Sequence, residues 1–96
     1  MSITLFATVS VKPGQSVAVR KELEKMLAPS RAETGCERYE LYQAEQDENT
    51  LHLIERYVDR AALDTHANSA YFKNLVDNIS PLLEKSLDIT YITELA

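Results

Sequence analysis

The sequence predicts an α+β domain with the element order β-α-β-β-α-β, and three observations lead there. Apolar residues alternate near both ends of the chain and in two runs at its middle, as they do along half-buried strands. Two further stretches repeat their apolar residues at intervals of three and four, the spacing of one helix face. The two middle runs are separated by only three polar residues, which makes them an antiparallel hairpin. With 96 residues in all, these elements fill one small domain, residues 1–96.

In residues 3–11, Ile3, Leu5, Ala7, Val9 and Val11 share one face, while Thr4, Thr8 and Ser10 take the other, interrupted by Phe6. Lys12, Pro13 and Gly14 end this strand, since proline removes a ladder donor and glycine permits a turn. From Gln15 to about Thr34 the spacing is helical. Val19, Leu23, Met26 and Leu27 make the apolar stripe, and Arg20, Lys21, Glu22, Glu24 and Lys25 face water. Pro29 should kink or end the regular hydrogen bonding near Lys25, with a turn continuing to Gly35.

Residues 36–46 read as the second strand, with Tyr39 and Leu41 opposite Tyr42 and Ala44. Asp47, Glu48 and Asn49 read as the hairpin turn, and residues 50–58 as the third strand. On that strand Leu51, Leu53, Glu55 and Tyr57 share one face, and His52, Ile54, Arg56 and Val58 the other. Asp59 is placed as the N-cap of a short helix through His66. Ser69 would cap another that carries Phe72, Leu75, Val76, Ile79, Leu82 and Leu83, with Pro81 splitting its final turn. Residues 87–95 form the last strand, with Leu87, Ile89, Tyr91 and Leu95 in phase.

This order is the split βαβ arrangement of a ferredoxin-like sandwich. Two right-handed crossovers put both helical layers on one face of a four-stranded antiparallel sheet. The other face is left bare: Ile54, Val58 and Ile92 make it too apolar for solvent, and His52, Arg56 and Glu94 too polar for a dry core. Such a mixed face suits a symmetric dimer.

Composition narrows the function. The formal net charge is −5 and the basic residues are scattered, which argues against nucleic acid or an anionic membrane as partner. The single cysteine, Cys36, can form no internal disulfide. No signal segment or membrane-length apolar run is found, so a cytoplasmic location is expected. Two glycines, Gly14 and Gly35, build no nucleotide-cradling loop, and two histidines in separate elements make no metal-ligand cluster. If the protein is an enzyme, no nucleotide cofactor or metal is expected.

Candidate chemistry gathers in one part of the chain. Glu55 falls on the strand face assigned to the helices, where a carboxylate must be paired, hydrogen-bonded or protonated. It is either a structural acceptor or a chemical group. His66, three residues after Leu63, can share the inward stripe of its helix. It is either a core histidine bonded to a carbonyl or a group that takes a proton from a substrate hydroxyl. Tyr39, Tyr57, Tyr71 and Phe72 are core rings or the walls of a flat apolar cavity suited to an aromatic ligand. Cys36 has no helix N-terminus beside it to make a reactive thiolate, and His52 belongs to the expected dimer face.

Several segments taken together resemble one family. They are the turn from Val11 to Gly14, the run Arg31–Cys36 leading into Tyr39, the strand Leu53–Tyr57 followed by Asp59, and His66 followed by Ser69 and Phe72. Their order and spacing resemble the antibiotic biosynthesis monooxygenase domain family, in its small quinol monooxygenase branch. The resemblance implies a dimeric α+β barrel of two ferredoxin-like sheets packed face to face. It also implies oxidation of a quinol-like aromatic by dioxygen, without metal, flavin or haem, in an enclosed apolar pocket. His66 and Glu55 match the family's recurrent histidine and glutamate, and Tyr57 stands where many members carry tryptophan. Three other readings share the layout. One is an isomerase of a phosphorylated autoinducer-type metabolite and one a non-catalytic ligand-binding dimer; the haem-degrading relatives use a tryptophan that this chain lacks.

Overall fold

The computed structural model describes the whole chain, Met1–Ala96. Its elements are β1 (Ile3–Ser10), α1 (Ser16–Glu24), α2 (Leu27–Arg31), β2 (Cys36–Ala44), β3 (Asp47–Tyr57), α3 (Arg60–Ala67), α4 (Ala70–Ile79), a 3-10 turn at Ser80–Leu82, and β4 (Asp88–Ile92). The strands form one sheet in the order β2-β3-β1-β4, every neighbouring pair antiparallel. This is the ferredoxin-like α+β fold expected from the sequence.

The helical break falls near Lys25, as the sequence suggests, but Pro29 works from inside the second helix. Lacking an N–H, Pro29 cannot bond the carbonyl of Lys25, so α1 closes with Met26 N donating to Leu23 O at 3.0 Å. Pro29 then occupies the first turn of α2, where an N–H would have no intrahelical partner anyway.

The hairpin turn lies earlier than expected. Glu45 and Gln46 make it, Ala44 pairs with Asp47, and Gln43 pairs with Leu51. Asp47, Glu48 and Asn49 therefore belong to a bulged start of β3. Three hydrogen bonds hold it there: the Asp47 carboxylate accepts from Asn49 N at 2.9 Å and Thr50 Oγ1 at 2.8 Å, and Asn49 O accepts from Val11 N at 2.8 Å.

The core lies between sheet and helices. Leu5, Ala7 and Val9 of β1 and Leu51, Leu53 and Tyr57 of β3 pack against Val19, Leu23, Met26, Leu63, Leu75 and Ile79. β4 is shorter than the expected 87–95. Its last pair is Ile92 with Thr4, one residue short of the start of β1 at Ile3. Ile89 and Tyr91 do take the helix-side phase, opposite Ala7 and Leu5, yet no helix covers this edge and both are exposed.

The outer sheet face is mixed in character. Phe6 stacks on His52 with ring centroids 4.9 Å apart, and Thr8 Oγ1 lies 3.2 Å from His52 Nδ1. Arg56 donates to Glu37 at 3.1 Å and to Glu94 at 3.5 Å, while Tyr42 and Ile92 stay exposed. Val58, assigned to this face from its phase, lies past the end of β3 and beside Gly35. No helix is long and apolar enough to cross a membrane.

Candidate active site

The strand alternation of β3 turns Glu55 under the helices, between Leu53 and Tyr57. Directly after β3, Asp59 caps α3: its Oδ1 accepts from Ala62 N at 2.9 Å. That start places Leu63 and His66, three residues apart, on the buried side of α3. Ser69 performs two functions at the next junction. Its Oγ accepts from Phe72 N at 3.2 Å, capping α4, and donates to His66 O at 2.7 Å, tying down the last turn of α3. The cap also sets Tyr71 and Phe72 in the first turn of α4, beside His66.

Gly35 brings in the remaining segment. The loop between α2 and β2 passes so close to α3 that a Cβ on Gly35 would sit 2.4 Å from Ala62 Cβ. Gly35 O also accepts from Val58 N at 2.8 Å. Only a residue without a side chain allows this approach, and it carries Glu33 to the imidazole.

His66 is 2% exposed. Four rings surround it, with centroids at 5.3 Å for Phe72, 5.4 Å for Tyr57, 5.5 Å for Tyr39 and 6.3 Å for Tyr71. Its Nδ1 lies 3.0 Å from Glu33 Oε2, an oxygen that also accepts from the Tyr71 hydroxyl. Its Nε2 faces Glu55 Oε1 at 3.8 Å, beyond hydrogen-bond reach. Glu55 Oε1 in turn accepts from the Tyr57 hydroxyl at 2.6 Å. The two carboxylates thus stand on opposite edges of one buried ring, and no metal-ligating group of three or more His, Cys, Asp or Glu is formed.

Burial holds the Glu55 carboxyl above the usual carboxylate range, and the nearby Glu33 charge adds to this, while the Tyr57 hydroxyl and His66 pull the other way. Burial, followed by the charge of Glu55, also pushes the Tyr39 and Tyr57 phenols far up. Burial and then the Glu33 hydrogen bond also raise the Tyr71 phenol. These phenols remain donors at neutral pH. The Cys36 thiol is pushed up by burial too, so it is no ready nucleophile. Imidazole and carboxylates are the groups left to accept a proton.

All six residues singled out from the sequence, His66, Glu55, Tyr39, Tyr57, Tyr71 and Phe72, meet here. Their arrangement differs from the expected chamber, because the rings pack directly on the imidazole. Cavities flank the cluster: one of 280 Å³ is lined by Tyr39 with Arg31 and Cys36, and one of 240 Å³ by Tyr71 with Met26 and Leu75. Neither is lined by His66 or Glu55. Glu33 is the member of the cluster that the sequence does not single out. It sits in a stretch read as a turn, without periodicity to aim its side chain; its place two residues before Gly35, within the run Arg31–Cys36 that carries part of the family resemblance, is the signal of its position.

The family model described as "Antibiotic biosynthesis monooxygenase" matches residues 2–78. The chain is 34% identical over 93 residues to "Putative monooxygenase Rv0793" of Mycobacterium tuberculosis, covering 97% of this chain and 91% of that protein. It is also 34% identical over 87 residues to "Putative monooxygenase YcnE" of Bacillus subtilis, covering 91% of this chain and 92% of that one. Among solved structures it is similar to PA3566 from Pseudomonas aeruginosa, with TM-score 0.93 and 37% identity over 99% of this chain and 95% of that chain.

Proposed function

The chain belongs to the antibiotic biosynthesis monooxygenase family, and from that premise we propose that it is a monooxygenase acting on a small quinol-like aromatic. The reading further has it work with dioxygen alone, as a cytoplasmic homodimer. His66 takes the proton of a substrate hydroxyl, Glu55 receives a hydrogen bond from the substrate, and Tyr39, Tyr57, Tyr71 and Phe72 supply the walls.

The observation that carries this reading is the interval between His66 Nε2 and Glu55 Oε1. At 3.8 Å the two atoms do not satisfy each other; four aromatic rings enclose the imidazole, and both side chains are buried from solvent. A phenol entering there donates its proton to the imidazole and becomes a phenolate, an electron-rich anion able to pass an electron to dioxygen. For hydroquinone the reaction balances as one quinol and one dioxygen giving one hydroxyquinone and one water. One oxygen atom ends on the ring and the other in the water, which also takes the two hydrogens that the quinol loses. The quinol supplies all four electrons. Entry requires a wall to move. Tyr71 and Phe72 are half-buried, in contrast to Tyr39 and Tyr57, which are fixed in the core.

The homodimer rests on the outer sheet face, whose Phe6–His52 stack, Tyr42 and Ile92 leave apolar surface open. Sedimentation at micromolar concentration should give a dimer, and a stable monomer would contradict it. Oxygen uptake by metal-stripped protein with a panel of hydroquinones should exceed autoxidation and yield hydroxyquinone. A rate equal to autoxidation, or turnover of a phosphorylated ketone without oxygen, would overturn the monooxygenase reading.

A further inference from the structure

We propose that Glu33 is the positioning residue of this site: it fixes His66 with a proton on Nδ1, so that the Nε2 lone pair points at the interval opposite Glu55. The catalytic consequence rests on the function proposed above; the assignment of the proton does not.

A neutral imidazole carries one N–H, and its neighbours decide on which nitrogen. Here the choice is between two carboxylates. Glu33 Oε2 is 3.0 Å from Nδ1, a full hydrogen bond, whereas Glu55 Oε1 is 3.8 Å from Nε2 and makes none. Glu55 is moreover engaged by the Tyr57 hydroxyl at 2.6 Å. The shorter contact places the proton on Nδ1 and leaves Nε2 as the acceptor. The opposite tautomer would put a bare nitrogen against the Glu33 oxygen and repel it.

Glu33 itself supplies a second, independent sign. Its other oxygen, Oε1, is buried with no hydrogen-bond partner. A largely buried carboxylate with one satisfied oxygen retains unspent attraction for a cation. The group nearest to hand that becomes cationic during the reaction is His66, at the moment it takes the substrate's proton. Glu33 therefore holds the ring before the transfer and stabilises the imidazolium after it, acting through His66 without touching the substrate. Glu33 has no arginine partner: Arg31, two residues before it, donates to Tyr39 O at 3.0 Å, and Arg38 and Arg56 pair with Glu40 and Glu37. Gly35 and Ala62 keep the loop and α3 close enough for the contact to persist.

Nitrogen-15 NMR of histidine-labelled protein reads the tautomer directly, with no substrate present. The wild type should show His66 protonated on Nδ1 with Nε2 bare. In Glu33→Leu, which replaces the carboxylate by an apolar side chain of similar size, the proton should move to Nε2 or spread over both nitrogens. Turnover of hydroquinone should fall roughly 10²- to 10⁴-fold in kcat with KM little changed. Glu33→Gln keeps an oxygen that can accept and should lie between the two in kcat; should Glu33→Leu not fold, Glu33→Gln decides alone, and wild-type kcat in it would overturn the proposal. Proton density on Nε2 in the wild type, or an unchanged tautomer in Glu33→Leu, would likewise overturn it. A wild type that shows the Nδ1 proton but consumes no oxygen would sink the monooxygenase reading and leave the tautomer assignment standing.

Discussion

The two histidines of this chain occupy opposite faces of one sheet and live in opposite circumstances. His52 lies on the outer face, half-buried, stacked on Phe6 and beside the Thr8 hydroxyl, with no carboxylate in contact. His66 lies under the helices, enclosed by four aromatic rings, with one carboxylate at each edge of its ring. Both have an aromatic neighbour, so aromatic company alone does not make a site. What separates them is loss of water together with charge placed at both nitrogens. In such a setting small changes in geometry or ionisation carry large energies. In the function proposed above, the outer histidine belongs to the surface that a second copy covers, and the inner one to the place where a proton is moved.

That contrast can be broken in graded steps. The largest expected effect is that of His66→Ala, which should lower turnover of hydroquinone roughly 10²- to 10⁴-fold while circular dichroism reports an intact fold. Gly35→Ala comes next. Its methyl would collide with Ala62, so urea unfolding should show a loss of about 1–3 kcal/mol, with the Glu33 contact to His66 loosened. Tyr57→Phe removes the donor to Glu55 and leaves a buried carboxylate oxygen without it, a cost of about 1–3 kcal/mol by the same measurement.

Glu55→Gln should be mild, within about 1 kcal/mol at neutral pH, because the amide oxygen can still accept from Tyr57. Its signature is in the pH profile. The folded pKa of Glu55 is raised, so between its unfolded and folded values the native state binds more protons than the unfolded one. The contribution of Glu55 to stability is full below the unfolded value and lost as pH rises through the folded one. Glu55→Gln should remove this decline from a plot of unfolding free energy against pH. The smallest effect on turnover belongs to His52→Ala: activity per site should match wild type, while sedimentation shows a weaker dimer.

The elements were legible in the sequence wherever a single local rule acted. Alternation placed Glu55 and Tyr57 on the helix side, and the caps Asp59 and Ser69 placed His66, Tyr71 and Phe72 within reach of each other. Where tertiary pairing decides, the reading slipped. The hairpin turn moved to Glu45 and Gln46 because β1 recruits Asn49 and Thr50 into the sheet. The last strand stopped at Ile92, opposite Thr4, because β1 begins at Ile3 and leaves almost no strand for residues 93–95 to pair with. Glu33 stayed hidden for a related reason. Its direction comes from a close loop–helix approach permitted by Gly35, and no periodic pattern records such a contact. The filled space around His66 was equally unreadable, since residue type tells that rings are present and not how tightly they close.

The central claim is that the buried imidazole, and not the surface one, takes the proton that starts the oxidation. Oxygen consumption with hydroquinone, followed side by side for metal-stripped wild type, His66→Ala and His52→Ala, tests it most directly. The account predicts uptake with hydroxyquinone formation for wild type and His52→Ala, and a rate near autoxidation for His66→Ala. Equal rates for wild type and His66→Ala would contradict it.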